Sequence, residues 1–132
     1  MKFPKISVIM AVYNSEKFLN ESINSILNQT FKDFEFIIIN DCSTDNSLKI
    51  IKEFIKKDNR IKLINNERNL GAAGTRNEGL KIAKGKYIAI LDSDDISYTQ
   101  RFVIQYNYLE DNPHITQLHG DYLLIHKNRH KV

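Results

Sequence analysis

Short apolar runs recur along the chain, and each has the length of a β-strand. They are rich in β-branched residues and are followed by polar or turn-forming residues. A pattern of this kind predicts buried strands. The four predicted strands are Ile6–Val12, Phe34–Ile39, Ile61–Ile64 and Tyr87–Leu91.

Helical patterns lie between these runs and after the last one. Leu19, Ile23 and Ile26 share one face of the first predicted helix, for which Ser15 is the expected N-cap. Further apolar stripes predict helices around residues 48–55, 72–83 and 99–110. We expect Gly85 to adopt the left-handed conformation that often follows a helix end.

Continuously apolar strands separated by single helices indicate a parallel sheet covered on both faces, which is a three-layer α/β sandwich. Right-handed crossovers bring the carboxyl ends of all its strands to one edge, where ligands bind at the switch in strand order. The polar residues at that edge are therefore the candidates for a site. They are Tyr13-Asn14, Asn40-Asp41, Asn65-Asn66 and Asp92-Ser93-Asp94.

The fourth strand ends in a cluster of carboxylates, Asp92, Asp94 and Asp95. Each pair of like charges 4 Å apart costs roughly 4 kcal/mol at an effective dielectric constant near 20. A cation would offset this cost. Carboxylate oxygens without nearby His or Cys favour Mg²⁺ or Mn²⁺, which also take phosphate oxygens as ligands. The alternative interpretation is that Asp92 caps the strand while Asp94 or Asp95 caps the next helix.

Composition excludes several classes of protein. The 132 residues, of which 42% are hydrophobic, suit a single domain spanning residues 1–132. A net charge of +3 is too small for a nucleic-acid-binding surface. No apolar run approaches the roughly 20 residues of a membrane span, and Cys42 has no cysteine partner, so we expect a cytoplasmic protein.

Glycine-rich phosphate loops are absent from the sequence. No G-x-G-x-x-G motif follows the first strand, and no G-x-x-x-x-G-K-[ST] motif occurs. Gly71, Gly74 and Gly79 open the third helix, where they favour a tight entry turn and close packing on the sheet. Arg76 lies among them near the ligand edge, where its guanidinium could meet a carboxylate, a phosphate or a base.

Two long stretches resemble a known family. They are ISVIMAVYNSEKFLNESINSILNQTFKDFEFIIINDCSTDNS and NERNLGAAGTRNEGLKIAKGKYIAILDSDD. Both are similar to the nucleotide-sugar-binding half of the family 2 glycosyltransferases, over nearly the whole chain. The resemblance implies a Rossmann-like GT-A sandwich with a mostly parallel central sheet. It also implies a nucleoside-diphosphate sugar as ligand, with UDP the expected nucleotide.

The resemblance also implies roles for individual residues. Asp41 would accept a hydrogen bond from the base, Arg76 would lie beside the nucleotide, and Asp92 would face the ribose or the metal. Asp94, in the D-x-D motif, would hold the Mn²⁺ or Mg²⁺ that bridges the diphosphate. The remaining predicted nucleotide-binding residues are Ala11, Val12, Tyr13, Asn14 and Ser93.

The sequence departs from the family pattern in two ways. Ala11 stands where members usually have Pro, a change that removes no functional group. The family's acceptor site and catalytic base lie on a segment that would follow Val132, so we expect a chain truncated after the donor-binding half, in which neither Glu78 nor Asp95 is the base. The reaction implied for the complete enzyme is an inverting transfer to a saccharide or lipid-linked acceptor.

Two alternatives remain at this point. One is a non-catalytic module that binds a nucleotide sugar. The other is a sugar-phosphate nucleotidylyltransferase, which would need a glycine-rich basic loop where this chain has AVYNSEKF. The sugar, the acceptor, the base, the oligomeric state and any peripheral attachment to a membrane stay open.

Overall fold

We describe the chain from a computed structural model, which covers residues 2–121, 123 and 124. The chain divides into two compact units, residues 1–102 and residues 103–132. The predicted single donor-binding domain over residues 1–132 stays a prediction. All of the strands described below, and every candidate site residue, belong to the first unit.

Strands and helices alternate along the first unit as predicted. The strands are β1 (Ile6–Val12), β2 (Phe34–Asn40), β3 (Ile61–Asn65) and β4 (Tyr87–Ile90). The helices are α1 (Leu19–Leu27), α2 (Ser47–Ile55) and α3 (Gly71–Ile82), and α4 (Arg101–Asp111) begins at the end of this unit. Among the described residues, none of these helices is long and apolar enough to cross a membrane.

Within the described residues the four strands form one parallel sheet in the order β3-β2-β1-β4. Ile6 of β1 lies opposite Phe34 of β2 on one side and opposite Tyr87 of β4 on the other. The chain thus winds outward from β1 to β3 and then crosses to the far side of β1. The strand order reverses between β1 and β4, the position where an open parallel sheet binds its ligands.

The core lies on both faces of β1 and β2. Ile9, Ile37 and Ile39 form a fully buried cluster with Ile64 and Ala83 against it. Because side chains alternate along a strand, the neighbouring positions point to the opposite face. They are fully buried as well: Val8, Met10, Phe36 and Ile38. The predicted α/β sandwich with a covered parallel sheet is confirmed.

Glycines fit tightly where the third helix meets the sheet. A Cβ on Gly79 would lie 2.9 Å from side-chain atoms of both Ile9 and Ile39, which confirms the predicted close packing. Gly71 has φ +72° at the entry to α3. The prediction for Gly85 was wrong, since it lacks a positive φ. A Cβ there would lie 2.4 Å from the backbone nitrogen of Ser7, so contact with β1 excludes any side chain.

A buried carboxylate joins the amino-terminal ends of the strands. Glu35 is 5% exposed and pairs with the Lys62 ammonium of β3. It also accepts hydrogen bonds from the Ser7 hydroxyl of β1 and, at 2.7 Å, from the backbone nitrogen of Lys84. Burial alone would raise the pKa of Glu35, but these hydrogen bonds together hold the pKa below its ordinary value.

The second unit contains most of α4 and the residues that follow it. Residues 112–121, 123 and 124 form no helix or strand. Gln117 and His119 share a side-chain hydrogen bond of 2.9 Å. The rest of the chain after residue 124 lies outside the described residues.

Candidate functional site

Four loops follow the carboxyl ends of the four strands. We name them the β1 loop (residues 13–18), the β2 loop (residues 41–46), the β3 loop (residues 66–70) and the β4 loop (residues 91–100). The predicted site residues lie in these loops, in the last residues of β1 and on α3. The contacts between the loops determine what the site can do.

The β1 and β2 loops are joined through Asn14. Its backbone has φ 47°, in the left-handed region that asparagine tolerates better than most residues. The side-chain oxygen accepts hydrogen bonds from the backbone nitrogens of Thr44 at 2.8 Å and Asp45 at 3.3 Å. The Asn14 backbone nitrogen donates to the Ser43 hydroxyl. Asn14 therefore shapes the predicted nucleoside pocket by fixing the backbone.

The other predicted pocket residues on this side differ in accessibility. Val12 is fully buried and Ala11 is half-buried at the end of β1. Tyr13 is 53% exposed, so its ring is available to a ligand. Of these three residues, Tyr13 is therefore the most accessible.

Ser15 was predicted to cap α1, and this was wrong. The helix begins at Leu19, and no side chain caps it. The Ser15 hydroxyl shares a 2.6 Å hydrogen bond with the Ser93 hydroxyl and also donates to the Tyr13 carbonyl. Glu16 accepts a hydrogen bond from the backbone nitrogen of Asn46 beside α2. Ser15 and Glu16 therefore join neighbouring loops and do not cap α1.

Asp41 is 3% exposed and fastens the start of α3. One carboxylate oxygen accepts from the Asn66 side chain at 2.9 Å and from the Leu70 nitrogen at 2.8 Å, and the other accepts from the Gly71 nitrogen at 3.0 Å. Burial alone would raise the pKa of Asp41, but hydrogen bonds from Asn66, Leu70, Thr75 and Gly71 together lower it. Four donors thus surround a carboxylate that offers about four acceptor positions.

Asparagines join the β2 loop to the β3 loop. The Asn40 amide donates to the Asn65 side chain across the adjacent strand ends, at 3.1 Å. The Asn69 amide donates to the Asp41 carbonyl at 3.2 Å. Neither of these two hydrogen bonds involves a titratable side chain, so neither depends directly on pH.

Arg76 connects α3 to the β4 loop. Its Nη2 donates to Asp92 Oδ1 at 2.6 Å, with the two side chains 33% and 54% exposed. Ion pairs this accessible contribute about 0–1 kcal/mol to stability. Within the described part of the chain, the buried Nε of Arg76 has no hydrogen-bond partner. A buried donor without a partner costs about 1–3 kcal/mol.

The carboxylates of the β4 loop surround a tight turn. The Asp95 backbone nitrogen donates to the Asp92 carbonyl at 3.1 Å, and Ser93 within the turn is held by Ser15. The side chains of Asp92 and Asp94 are exposed. Since α4 begins at Arg101, neither Asp94 nor Asp95 lies at the start of that helix. The turn therefore presents carboxylates at the reversal of strand order.

The donor set of this turn suits a hard divalent cation. In residues 2–121, 123 and 124 no group of three or more His, Cys, Asp and Glu side chains is arranged to hold a metal ion. Mg²⁺ commonly binds through one or two carboxylates and completes its shell with water and substrate phosphates. Asp94 and Asp92 fit that arrangement, although the ion pair with Arg76 occupies one oxygen of Asp92.

The contacts described above connect the loops into a closed ring. Asn14 joins the β1 and β2 loops, Asp41 joins the β2 and β3 loops, and Arg76 joins α3 to the β4 loop. The Ser93–Ser15 hydrogen bond then returns from the β4 loop to the β1 loop. Five of the predicted site residues form these connections, so the structure brings the loops together at one edge: Asn14, Asp41, Arg76, Asp92 and Ser93.

Sequence reasoning missed several residues that hold this ring. The supporting donors and acceptors that were not among the candidate site residues are Ser15, Ser43, Thr44 and Asp45. The available signal was their position just after strand ends. That signal does not reveal which side chains bind each other, because their partners are distant in sequence.

The chain matches the family model described as "Glycosyl transferase family 2" over residues 7–123. An uncharacterised glycosyltransferase of Methanocaldococcus jannaschii is 50% identical over 130 residues, covering 97% of this chain and 45% of that protein. The Escherichia coli UDP-Glc:alpha-D-GlcNAc-diphosphoundecaprenol beta-1,3-glucosyltransferase WfgD is 42% identical, covering 93% of this chain and 47% of WfgD. The chain thus spans about half the length of these curated relatives.

Solved structures show the same fold. TarS of S. aureus superposes with a TM-score of 0.77 at 35% identity, covering 83% of this chain and 33% of TarS, and a crystal structure of it contains UDP. Another contains UDP-GlcNAc. The Pyrobaculum calidifontis mannosyltransferase PcManGT, solved with GDP-Man and Mn²⁺, has a TM-score of 0.74 at 21% identity, covering 85% of this chain and 34% of PcManGT. That last likeness concerns the fold alone.

Proposed function

The chain belongs to glycosyl transferase family 2, and from that premise we propose that it binds the nucleoside-diphosphate part of a sugar donor at the carboxyl edge of its sheet. The fold expected from the resemblance, a GT-A sandwich with a parallel sheet, is confirmed. The observation that carries the proposal is the closed ring of loops, in which Arg76 and the β4 carboxylates lie side by side.

Arg76 supplies the anion-binding half of the proposed site. One of its guanidinium nitrogens is paired with Asp92, while its buried Nε lacks a partner among the described residues. Guanidinium groups bind phosphate oxygens through several donors at once. A diphosphate beside Arg76 would satisfy the unpaired donor and share the guanidinium with Asp92.

Asp94, with Asp92, supplies the cation-binding half. We propose that these carboxylates hold Mn²⁺ or Mg²⁺ together with oxygens of the diphosphate. When bound, the cation supplies positive charge that stabilises the departing diphosphate. The D-x-D assignment rests on the exposed carboxylates of the turn and on their position at the reversal of strand order.

We propose UDP as the nucleotide. The support is that TarS, 35% identical to this chain, has been solved with UDP and with UDP-GlcNAc, and that WfgD is named for a UDP-Glc donor. In this proposal Tyr13 and the neighbouring residues Ala11 and Val12 line the nucleoside pocket. The contact of Asp41 with the base stays a prediction.

The donor site would serve an inverting transfer. The acceptor hydroxyl attacks the anomeric carbon, the bond from that carbon to the diphosphate oxygen breaks, and the hydroxyl proton passes to a general base. Arg76 and the β4 carboxylates act on the leaving diphosphate in this scheme. We name no base among the residues of this chain, and the acceptor is proposed only as a saccharide or a lipid-linked saccharide.

The test is metal-dependent binding of UDP by the purified chain, measured by calorimetry with and without Mn²⁺. Asp94→Asn keeps the side-chain shape and removes the charged ligand. Loss of residues that merely orient metal ligands costs about 10–100-fold in metal affinity, so we expect at least a tenfold weaker UDP affinity in Mn²⁺ and little change without metal.

Glu53→Gln is the matched control, since it removes one exposed carboxylate from α2, where Glu53 pairs with Lys56. It should bind UDP like the parent. Equal binding by Asp94→Asn and the parent in Mn²⁺ would remove Asp94 from the site. Absence of UDP binding by the parent would contradict the proposed function itself.

A further inference from the structure

The β4 loop has no regular secondary structure, yet residues 97–102 lie against the end of α1. The acidic turn of this loop comprises residues 92–95. On its amino-terminal side it follows closely after β4, which pairs with β1. The segment on the carboxyl-terminal side of the turn is not part of the sheet, so other contacts must hold it. Gln29, two residues after the end of α1, provides several of them.

Gln29 is fully buried, and all of its side-chain polar atoms are engaged. Its amide nitrogen lies 2.6 Å from the Tyr98 carbonyl, 3.1 Å from the Ser97 hydroxyl and 3.1 Å from the Ser25 carbonyl. Its side-chain oxygen accepts from the Phe102 backbone nitrogen at 3.1 Å. One amide thus contacts three positions of the segment that follows the acidic turn.

The residues around Gln29 reinforce the same attachment. The Ser25 hydroxyl accepts a hydrogen bond from the Ser97 backbone nitrogen at 3.0 Å. The Thr30 backbone nitrogen donates to the Thr99 carbonyl at 2.9 Å. Arg101 Nη2 donates to the Ile90 carbonyl at 3.2 Å, at the base of the same loop. The β4 loop is therefore closed at its base and held along its second half.

We propose that Gln29 is a positioning residue for the acidic turn. By fixing Ser97 and Tyr98 it holds the chain two residues after Asp95, and so sets where Asp94 presents its carboxylate. The consequence for metal binding rests on the proposed function, whereas the ordering of the loop does not. Nothing in the family match assigns a role to this side chain.

The chemistry of the side chain supports positioning over packing. A leucine or methionine would fill a buried space of this size without polar groups. Gln29 instead places donors and an acceptor where backbone groups of the loop would otherwise be buried unpaired, which is unfavourable. The Gln29 amide has four polar partners within hydrogen-bonding distance, and three of them lie in residues 97–102.

The experiment compares amide hydrogen exchange in the parent, Gln29→Met and Ile26→Val. Ile26 is fully buried on α1 one turn earlier, and Ile26→Val removes one buried carbon and no hydrogen-bonding group. We expect Gln29→Met to speed exchange at Ser97, Arg101 and Phe102 by about tenfold or more relative to β2 amides, since several buried hydrogen bonds are lost. Ile26→Val should leave that ratio unchanged.

A milder variant covers the case in which Gln29→Met does not fold. Ser97→Ala removes only the hydroxyl that meets the Gln29 amide, and it should raise exchange in the same segment by a smaller factor. A simple loss of stability would speed hydrogen exchange at loop amides and sheet amides by the same factor. If either variant does so, the positioning role is wrong.

The second readout is the Mn²⁺ electron paramagnetic resonance spectrum in the presence of UDP. We expect Gln29→Met to weaken Mn²⁺ binding about tenfold, as for other residues that orient metal ligands, and Ile26→Val to match the parent. Unchanged Mn²⁺ affinity in Gln29→Met would overturn the link to Asp94. If the parent binds neither UDP nor Mn²⁺, the proposed function fails, while hydrogen exchange still decides whether Gln29 orders the loop.

Discussion

Replacing Asp41 by Asn tests how the edge of the sheet is held together. Asn has nearly the same shape, and its single oxygen can still accept from Asn66 and Leu70. Its amide nitrogen would then face the Gly71 nitrogen, donor against donor. A hydrogen bond to a charged group contributes about 1.5–3 kcal/mol, and the two that remain lose their charge assistance. We expect Asp41→Asn to lower the free energy of unfolding by about 2–4 kcal/mol at pH 7.

The stability lost in Asp41→Asn should depend on pH, and the pKa of Asp41 determines the direction of that dependence. Hydrogen bonds to Asp41 hold its folded-state pKa below the ordinary value, and the unfolded value is about 3.9. The stability contributed by the carboxylate is therefore complete well above pH 4 and is lost as pH falls through the lower, folded-state pKa. The parent and Asp41→Asn should differ most at neutral pH and converge in acid. Glu35 titrates in both proteins and cancels in the comparison.

The assay is urea unfolding of both proteins, extrapolated to water, at pH 7 and at several values down to about pH 3. Asp94→Asn is the control, since it removes a carboxylate at the same edge from an exposed position. It should leave the stability near that of the parent at every pH. A difference between parent and Asp41→Asn below about 0.5 kcal/mol at pH 7, or one that persists unchanged in acid, would show that Asp41 does not hold α3 through its charge.

Four further predictions concern the sheet and the base pocket. Gly79→Ala should destabilise by about 1–2 kcal/mol in urea unfolding, because overpacking against Ile9 and Ile39 exceeds the gain in helix propensity. Gly85→Ala should cost more, since its Cβ would meet backbone at 2.4 Å, and equal costs would contradict this account. Glu35→Gln should make the free energy of unfolding depend less on pH in acid. The reason is that the pKa of Glu35 is lowered in the folded protein, so its contribution to stability is lost as pH falls. Asp41→Ala should weaken UDP binding by about 1.5–3 kcal/mol in calorimetry, and equal affinity of the parent for UDP and ADP would count against base recognition.

The fold was predictable because its strands are encoded locally. β2 reads FEFIIIN and is buried at every position, so its apolar run alone identified a strand inside a parallel sheet. The predicted boundaries of the strands and of three helices agree with the structure to within two residues. Gly85 shows the limit of local reasoning, since its requirement comes from contact with Ser7 on β1, 78 residues away.

The location of the site was also predictable, whereas its internal contacts were not. Parallel strands with right-handed crossovers place their carboxyl ends on one edge, whatever the residues there are. Which side chains pair across that edge depends on distances between segments far apart in sequence. Ser15 was expected at a helix start and binds Ser93 instead, and Gln29 reads as an ordinary polar residue until its partners at Ser97 and Tyr98 are seen.

These contacts divide the site residues into two groups, one that orders the loops and one that is proposed to bind the ligand. Asn14, Asp41 and Gln29 form hydrogen bonds inside the protein without any ligand, so the loops are ordered before binding and less entropy is lost when a ligand arrives. Arg76 retains a buried donor without a partner among the described residues, and Asp94 presents an exposed carboxylate. Substitutions in the first group should therefore alter stability or loop order as well as affinity, whereas substitutions at Arg76 or Asp94 should alter affinity with little loss of stability.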